Sequence, residues 1–186
     1  MAVVTLVGYR GTGKSTVAAL LAEQLGCGWI DADVALEERL GMTIADLVRE
    51  RGEPAFRDAE AALLADLLPA WPGVLATGGG VVLRPANRAL LVQCGRPVVW
   101  LSAPADVIRR RLAADPATVT RRPALAGGDP LDEVEHALRD RGPLYREVAD
   151  VTVETDGSAA PEVVRRIATW LAAFRPHDDD AGGRAC

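Results

Sequence analysis

Residues 8–15 read GYRGTGKS and carry the clearest chemical pattern in the sequence. They match the phosphate-binding consensus G-x-x-x-x-G-K-[ST] in full, after an apolar β-branched run and before a stretch of helical periodicity. In such a loop the glycines let backbone amides turn towards a phosphate, and the following helix adds a partial positive charge. Lys14 would then reach the β- and γ-phosphates, and the Ser15 hydroxyl could ligate Mg²⁺. The motif predicts that the chain binds ATP or GTP.

The composition singles out the lysine of this loop. Lys14 is the only lysine among the 21 basic residues of the 186-residue chain, and all the others are arginines. Lysine carries a compact charge on a flexible stem, whereas arginine is a planar fork. We therefore interpret Lys14 as a residue that this site needs as a point charge. The residues predicted to contact the nucleotide in this segment are Gly11, Thr12, Gly13, Lys14, Ser15 and Thr16.

Two carboxylates, Asp31 and Asp33, follow the second apolar run. In open α/β sheets, ligands bind at the carboxyl ends of the strands. Residues two apart on a strand point to the same side, so both carboxylates could face the phosphates. One of them could hold Mg²⁺ through water, and the other could orient or deprotonate an acceptor hydroxyl. The alternative is that Asp33 only caps the helix after it.

The elements that must position these residues alternate along the chain. Short β-branched runs at residues 3–7, 29–31, 74–77, 98–101 and 151–153 are separated by segments of helical periodicity. This alternation is typical of a parallel sheet covered by helices. The sequence thus predicts an α/β fold with a five-stranded parallel sheet, helices on both faces and a single domain over residues 1–175.

Helix signals and irregular segments complete this organisation. Residues 14–25 form a predicted helix that Gly26 ends, and Thr43 is a predicted cap with Asp46 as its partner. A break near residues 52–54 divides the next helical stretch in two, and a last helix follows Pro161. Residues 112–128 contain Pro and Gly-Gly steps that predict a mobile loop. Residues 176–186 lack an apolar stripe and predict a disordered tail.

Three further patterns occur in order along the chain: GEPAFRDAE at residues 52–60, GGG at residues 78–80, and RGPLY at residues 141–145. Each alone is weak, but their order and spacing with the phosphate loop and the paired aspartates are specific. Together they resemble the shikimate kinase family along nearly the whole chain.

The resemblance implies an adenylate-kinase-like P-loop fold with a mobile lid at about residues 112–128 and substrate-binding helices at about 33–61. The implied reaction is Mg²⁺-dependent transfer of the γ-phosphoryl group of ATP to the 3-hydroxyl of shikimate. Lys14, Asp33 and Arg122 would be catalytic, and Ser15 and more indirectly Asp31 would hold the metal. Arg122 would cover the nucleotide, although Arg121 beside it leaves the choice open, and Arg111 resembles a family arginine near the phosphates. The residues implied for shikimate are Asp33, Arg57, Gly79, Gly80 and Arg141.

The residue types agree with this assignment at several points. Arg57 and Glu60 lie three apart on a predicted helix, where the carboxylate can hold the guanidinium in place. Two arginines suit a carboxylate substrate, because each fork donates two parallel hydrogen bonds. A glycine run lets a substrate ring approach backbone amides. Without the resemblance, Arg141 beside other charged residues would be interpreted as part of a solvated helix face.

Composition and charge exclude several other functions. A net charge of −5 disfavours a nucleic-acid surface, which needs a basic field. Apolar runs fall far short of the roughly 18 residues that span a membrane, and the start of the sequence lacks signal-peptide features, so we expect a cytoplasmic protein. We also expect a monomer. Two alternatives stay open: a kinase for another small hydroxy acid such as gluconate, or a nucleotide-binding regulatory module without catalysis. The Asp33, Lys14 and Ser15 set argues against the second alternative, and the two arginines argue against the first.

Overall fold

The computed structural model of the protein describes residues 3–114 and 130–174. In them lie five strands: β1 (Val4–Val7), β2 (Trp29–Asp31), β3 (Val74–Ala76), β4 (Val98–Ser102) and β5 (Val151–Glu154). They form one sheet in the order β2-β3-β1-β4-β5, and every neighbouring pair is parallel. Each observed strand agrees with its predicted bounds to within one residue. The predicted five-stranded parallel sheet is confirmed.

Seven helices surround this sheet in the described part of the chain, and a short 3₁₀ turn at Val81–Leu83 precedes the fourth. The helices are α1 (Lys14–Leu25), α2 (Ala32–Leu40), α3 (Ile44–Ala70), α4 (Pro85–Cys94), α5 (Ala105–Ala114), α6 (Pro130–Val148) and α7 (Ala160–Ala173).

The three central strands of the sheet, β1, β3 and β4, are buried on both faces, as parallel strands rich in β-branched residues require. Val4 and Leu6 of β1 belong to an apolar layer formed with α1 and α7. Val7 belongs to the opposite layer, which α3, α4 and α6 cover. This alternation along β1 is the reason why helices are needed on both sides, and it confirms that part of the predicted architecture.

Local sequence signals set the helix ends. Gly26 ends α1 in the left-handed conformation, with φ of 66°. The Thr43 hydroxyl accepts a hydrogen bond of 3.0 Å from the backbone amide of Asp46 and so caps α3, as predicted. Gly52, with φ of 82° and ψ of 165°, interrupts α3 at the predicted break. Because these signals act over three or four residues, the sequence alone was sufficient to locate them.

The carboxyl ends of the strands meet at one edge, and the candidate site lies there. β1 leads into the phosphate loop, β2 ends at Asp31, and β3 leads into the glycine run 78–80. Residues 112–114 of the predicted lid lie in α5, and the rest of that segment lies outside the described residues, as does the predicted tail. No helix in the described ranges has the length and apolar character to span a bilayer.

Candidate active site

The phosphate loop joins β1 to α1 in a conformation that depends on its glycines. Gly8, Gly11 and Gly13 have φ of 145°, 79° and 89°, a region that other residues rarely adopt. A Cβ atom on Gly8 would lie 2.4 Å from the Leu101 carbonyl oxygen. The loop is therefore fixed against β4, and its shape excludes side chains at these positions.

Lys14 folds back over this loop. Its Nζ donates hydrogen bonds of 2.8 Å to the carbonyl of Gly8 and 3.0 Å to the carbonyl of Tyr9. The cap of α1 is Gly13, and the first turn of the helix contains no acidic residue. The helix N-terminus and the lysine thus bring positive charge to one place, which suits an anion such as a phosphate.

A hydroxyl and a carboxylate meet beside the loop. The Ser15 Oγ donates a 2.5 Å hydrogen bond to Asp31 Oδ2. The other oxygen of Asp31, Oδ1, accepts from the backbone amide of Asp33 at 2.9 Å and caps α2. The predicted pair Ser15 and Asp31 is thus brought together at the carboxyl end of β2.

Asp33 does not lie where the strand pattern placed it. β2 ends at Asp31, and Asp33 stands in the first turn of α2, so the prediction that strand alternation aligns the two carboxylates was wrong. The alternative role as a helix cap is also wrong, because Asp31 caps α2. The Asp33 carboxylate lies instead across from the run that follows β3: a Cβ atom on Gly78 would be 2.8 Å from its Oδ1.

Arg57 is held by two carboxylates of its own helix. Its Nη1 donates to Glu60 Oε2 at 2.9 Å, which confirms the predicted pair, and its Nη2 donates to Glu53 Oε1 at 3.0 Å. Burial by itself lowers the pKa of Arg57, but the Glu60 and Glu53 carboxylates outweigh it and raise the pKa above its usual value. Sequence reasoning missed Glu53, although its spacing of four residues is a helix-pair signal.

The glycine run is in close contact with these charged groups. A Cβ atom on Gly78 would lie 2.7 Å from Glu60 Oε1, and one on Gly80 would lie 2.1 Å from Arg57 Nη1. On Gly79 it would lie 3.1 Å from the backbone nitrogen of Arg10 in the phosphate loop. The run therefore passes between the phosphate loop and the charged groups of α2 and α3, and only glycine leaves enough room.

Arg141 reaches the same run from α6. Its Nη1 donates to the Gly79 carbonyl at 3.3 Å, and its guanidinium lies 5.4 Å from the centre of the Tyr9 ring. In the described ranges it forms no ion pair with a carboxylate. The interpretation of Arg141 as a solvated helix face, which its local pattern favours, was wrong. Packing of α6 against the phosphate loop turns this side chain inward.

Sequence reasoning gave no role to Tyr145, one turn further along α6. Its hydroxyl donates a 2.5 Å hydrogen bond to the Gly79 carbonyl, and its ring stacks on Trp100 with 5.7 Å between centres. Burial raises the pKa of Tyr145 far above its usual value, so the hydroxyl stays protonated and remains a donor. Its only signal in the sequence was its place in the RGPLY pattern.

Arg111 of α5 connects the phosphate loop with the segment after β5. It donates to the Gly11 carbonyl at 3.3 Å and to the Thr155 hydroxyl and carbonyl at 2.9 and 2.6 Å. A cavity of about 250 Å³ opens beside it, and Thr12, Gly13 and Thr16 are also among its lining residues. Sequence reasoning missed Thr155. The predicted nucleotide residue Arg122, and Arg121 with it, lies outside the described residues.

The fold and this site define a phosphotransferase of the P-loop class, with a group of charged side chains next to its phosphate loop. The sequence profile described as shikimate kinase matches residues 10–172. A shikimate kinase of Halorhodospira halophila is 46% identical over 166 residues, which cover 89% of this chain and 91% of that protein. The chain belongs to the shikimate kinase family, as the order of its motifs predicted.

Solved structures agree with this assignment. The shikimate kinase of Acinetobacter baumannii in complex with shikimate has a TM-score of 0.85 and 37% identity, covering 91% of this chain and 92% of that one. A gluconokinase of Sinorhizobium meliloti has a TM-score of 0.52 and 19% identity, covering 91% of each chain. At that identity the second likeness shows a common fold alone.

Proposed function

We propose that this chain transfers the γ-phosphoryl group of ATP to the 3-hydroxyl of shikimate. The observation that carries the proposal is the convergence of Asp33, Arg57 and Arg141, from three different helices, on the glycine run 78–80. The run itself touches the phosphate loop at Arg10. An acceptor bound by these three side chains would therefore lie next to a nucleotide bound by the loop.

The two arginines differ in a way that suits a carboxylate substrate. Arg57 is already paired with two carboxylates, Glu53 and Glu60, so it offers a donor in a fixed place whose charge is more than matched within its own helix. Arg141 has a carbonyl and a ring as neighbours, and it forms no ion pair in the described ranges. Its charge is free to be matched by the carboxylate of a ligand, through hydrogen bonds that charge makes short and strong.

The nucleotide would lie across the phosphate loop. Backbone amides at residues 11–16 and Lys14 would bind its phosphates, and the cavity beside Arg111 would accept part of the nucleoside. In phosphoryl transfer most of the rate acceleration comes from positioning and from charge stabilisation. Lys14 supplies both here, because it is buried against the loop and tied to two of its carbonyls. We also propose that Arg122 covers the nucleotide.

Asp33 would act on the acceptor. It lies beside Gly78, on the glycine run that separates α2 from the phosphate loop. A carboxylate at this position can accept a hydrogen bond from the attacking hydroxyl and hold its oxygen towards the γ-phosphate, or remove its proton. Asp31, and not Asp33, caps α2, so the Asp33 side chain is not needed to start the helix.

The residues beside the loop fit Mg²⁺. Ser15 Oγ and Asp31 Oδ2 are both oxygen ligands, and they lie 2.5 Å apart at the start of α1. Mg²⁺ in kinases is held by one or two such groups together with substrate phosphates and water, and when bound it neutralises phosphate charge. Ser15 and Asp31 are the pair that would hold the ion.

A substrate screen tests the proposal. We expect the purified chain to release ADP from MgATP in the presence of shikimate, and far less with gluconate or with no acceptor. Faster turnover with gluconate would favour the other hydroxy-acid kinase. Binding of ATP without turnover of any acceptor would favour the regulatory module. The cytoplasmic location, the monomeric state and the single domain over residues 1–175 remain predictions of the sequence.

A further inference from the structure

Two consecutive residues of the phosphate loop contact α6, the helix that carries Arg141. The Tyr9 ring lies against the Arg141 guanidinium, 5.4 Å from its centre. Arg10 Nη2 donates to Glu133 Oε1 at 3.3 Å, near the start of the same helix. The Arg10 guanidinium also lies 5.7 Å from the centre of the Tyr9 ring. One aromatic ring therefore contacts both arginines.

The Arg10–Glu133 pair is sheltered from water. Its side chains are 23% and 26% exposed, and the Nε of Arg10 and the Oε2 of Glu133 are buried without a hydrogen-bond partner in the described ranges. Each charge has the other as its ionic partner in the same ranges. Loss of one member would leave the other charge poorly solvated, so the pair resists separation more than an exposed pair does.

The geometry of α6 connects this pair with Arg141. Glu133 and Arg141 are eight residues apart, roughly two helical turns or about 12 Å. The helix is therefore anchored to the phosphate loop at its start by an ion pair and further along by the Tyr9 ring. Tyr145 adds a contact with the glycine run, through its hydrogen bond to Gly79.

We propose that Arg10 and Glu133 are positioning residues: their ion pair fixes α6 against the phosphate loop and so sets where Arg141 meets the acceptor. The inference rests on the proposed function, because it takes Arg141 as a ligand of the shikimate carboxylate. Neither residue contacts the acceptor. They influence the acceptor through Tyr9 and Arg141. The ion pair should therefore affect binding of the acceptor and not binding of the nucleotide.

The test is a double-mutant cycle on the full chain. Arg10→Met keeps most of the side-chain volume without the charge, and Glu133→Gln keeps the shape without the charge. Both single variants and the double variant are assayed for kcat and for KM of shikimate and of ATP. Arg10→Lys keeps the charge and serves as the conservative rescue. The control is Glu147→Gln, which breaks the ion pair between Glu147 at the other end of α6 and Arg88 of α4.

We expect each single variant to raise the KM of shikimate about threefold to tenfold, and the double variant to be no worse than either, as coupled residues behave. The kcat and the KM of ATP should stay within about twofold of the parent chain, which indicates lost ground-state binding of the acceptor. Arg10→Lys should recover most of the shikimate KM, and Glu147→Gln should leave it unchanged.

Four results would overturn the proposal. Multiplicative effects in the double variant would mean that the two residues act independently. An unchanged or lower shikimate KM in Glu133→Gln, with a raised KM in Arg10→Met, would mean that Arg10 contacts the acceptor directly. Equal changes in the KM of ATP would indicate a distorted phosphate loop. A raised KM of shikimate in Glu147→Gln would indicate that α6 as a whole has loosened. If the parent chain itself does not phosphorylate shikimate, the proposed function fails. If the parent chain is active and the variants give one of the four results above, only the positioning role fails.

Discussion

The Arg57 guanidinium lies directly against the backbone of Gly80. A Cβ atom at position 80 would lie 2.1 Å from Arg57 Nη1, which is too close for two non-bonded heavy atoms. The arginine has little freedom to retreat, because Glu60 and Glu53 hold it at 2.9 and 3.0 Å. A single methyl group on the glycine run must therefore displace the group that we assign to the acceptor.

Gly80→Ala should raise the KM of shikimate about 10- to 100-fold, because a displacement of about 1 Å in a positioning group can cost that much. The KM of ATP should change little. Gly142→Ala is the matched control: its Cβ atom would meet nothing within 4 Å, and alanine is favoured over glycine inside a helix by about 0.5–1 kcal/mol. Steady-state kinetics and thermal melting of both variants check this. An unchanged shikimate KM in Gly80→Ala would show that Arg57 does not bind the acceptor.

The two arginines should differ in their effect on stability. Arg57→Ala removes the cation that pairs with Glu60, whose side chain is only 7% exposed. Breaking a buried pair in this way costs roughly 3 kcal/mol or more. Arg141→Ala removes no ion pair in the described ranges, so the free energy of unfolding should fall much less. Urea denaturation measures both values, and equal losses would contradict the assigned environments.

Both arginine truncations should nevertheless weaken shikimate binding strongly and leave ATP binding almost unchanged. Lysine should rescue either one poorly, since it keeps the charge and loses the fork. The methyl ester of shikimate, which has no carboxylate charge, should bind the parent chain poorly, and the truncations should affect it far less than they affect shikimate. Calorimetric titration of both ligands decides the matter. Equal penalties on both ligands would mean that the arginines support the fold and not the carboxylate.

Lys14→Met should reduce phosphoryl transfer by about 100-fold or more, as removal of one positioned electrostatic group does elsewhere. The change also removes the hydrogen bonds from Lys14 to the carbonyls of Gly8 and Tyr9, so the melting temperature is measured alongside turnover. Arg39→Met, at an exposed residue that pairs with Asp66, is the control for loss of a basic side chain. Near-normal turnover in a folded Lys14→Met variant would refute the role of Lys14.

Asp33→Asn should lower kcat by about 100-fold or more, because asparagine keeps the shape of the side chain and loses its basicity. The melting temperature should change little, since the cap of α2 is Asp31 and stays in place. Asp66→Asn, at an exposed carboxylate, controls for the loss of one negative charge. Unchanged turnover in Asp33→Asn would remove Asp33 from the reaction.

Most strands, helix ends and the phosphate loop could be predicted from the sequence, because the signals for them lie within a few residues of one another. β-branched runs predicted all five strands, and the residue types of the loop at 8–15 predicted that it binds phosphates. Thr43 starts α3 through a side-chain contact three residues away, and Gly52 interrupts the same helix through its own dihedral angles. The Arg57–Glu60 pair was predictable for the same reason, because residues three apart on a helix are neighbours.

Contacts between distant segments depended on the tertiary structure. Arg141 and Tyr145 meet Gly79 across 62 and 66 residues, and Arg10 meets Glu133 across 123. Periodicity indicates which face of a helix is polar, but it does not indicate which part of the chain that face will contact. The packing of α6 over the carboxyl edge of the sheet decided that a charged helix face became one wall of the site.

Asp33 shows the same limit at short range. The sequence by itself determined that two carboxylates stand at the end of β2. Only the structure decided that the chain turns into α2 immediately after Asp31, because the Asp31 side chain accepts the Asp33 amide and starts the helix there. That single cap separates the two carboxylates that strand alternation placed on the same side: Asp31 is tied to the backbone and to Ser15, and Asp33 faces the glycine run. The residue types set which chemistry was available, and the three-dimensional packing assigned it to particular side chains.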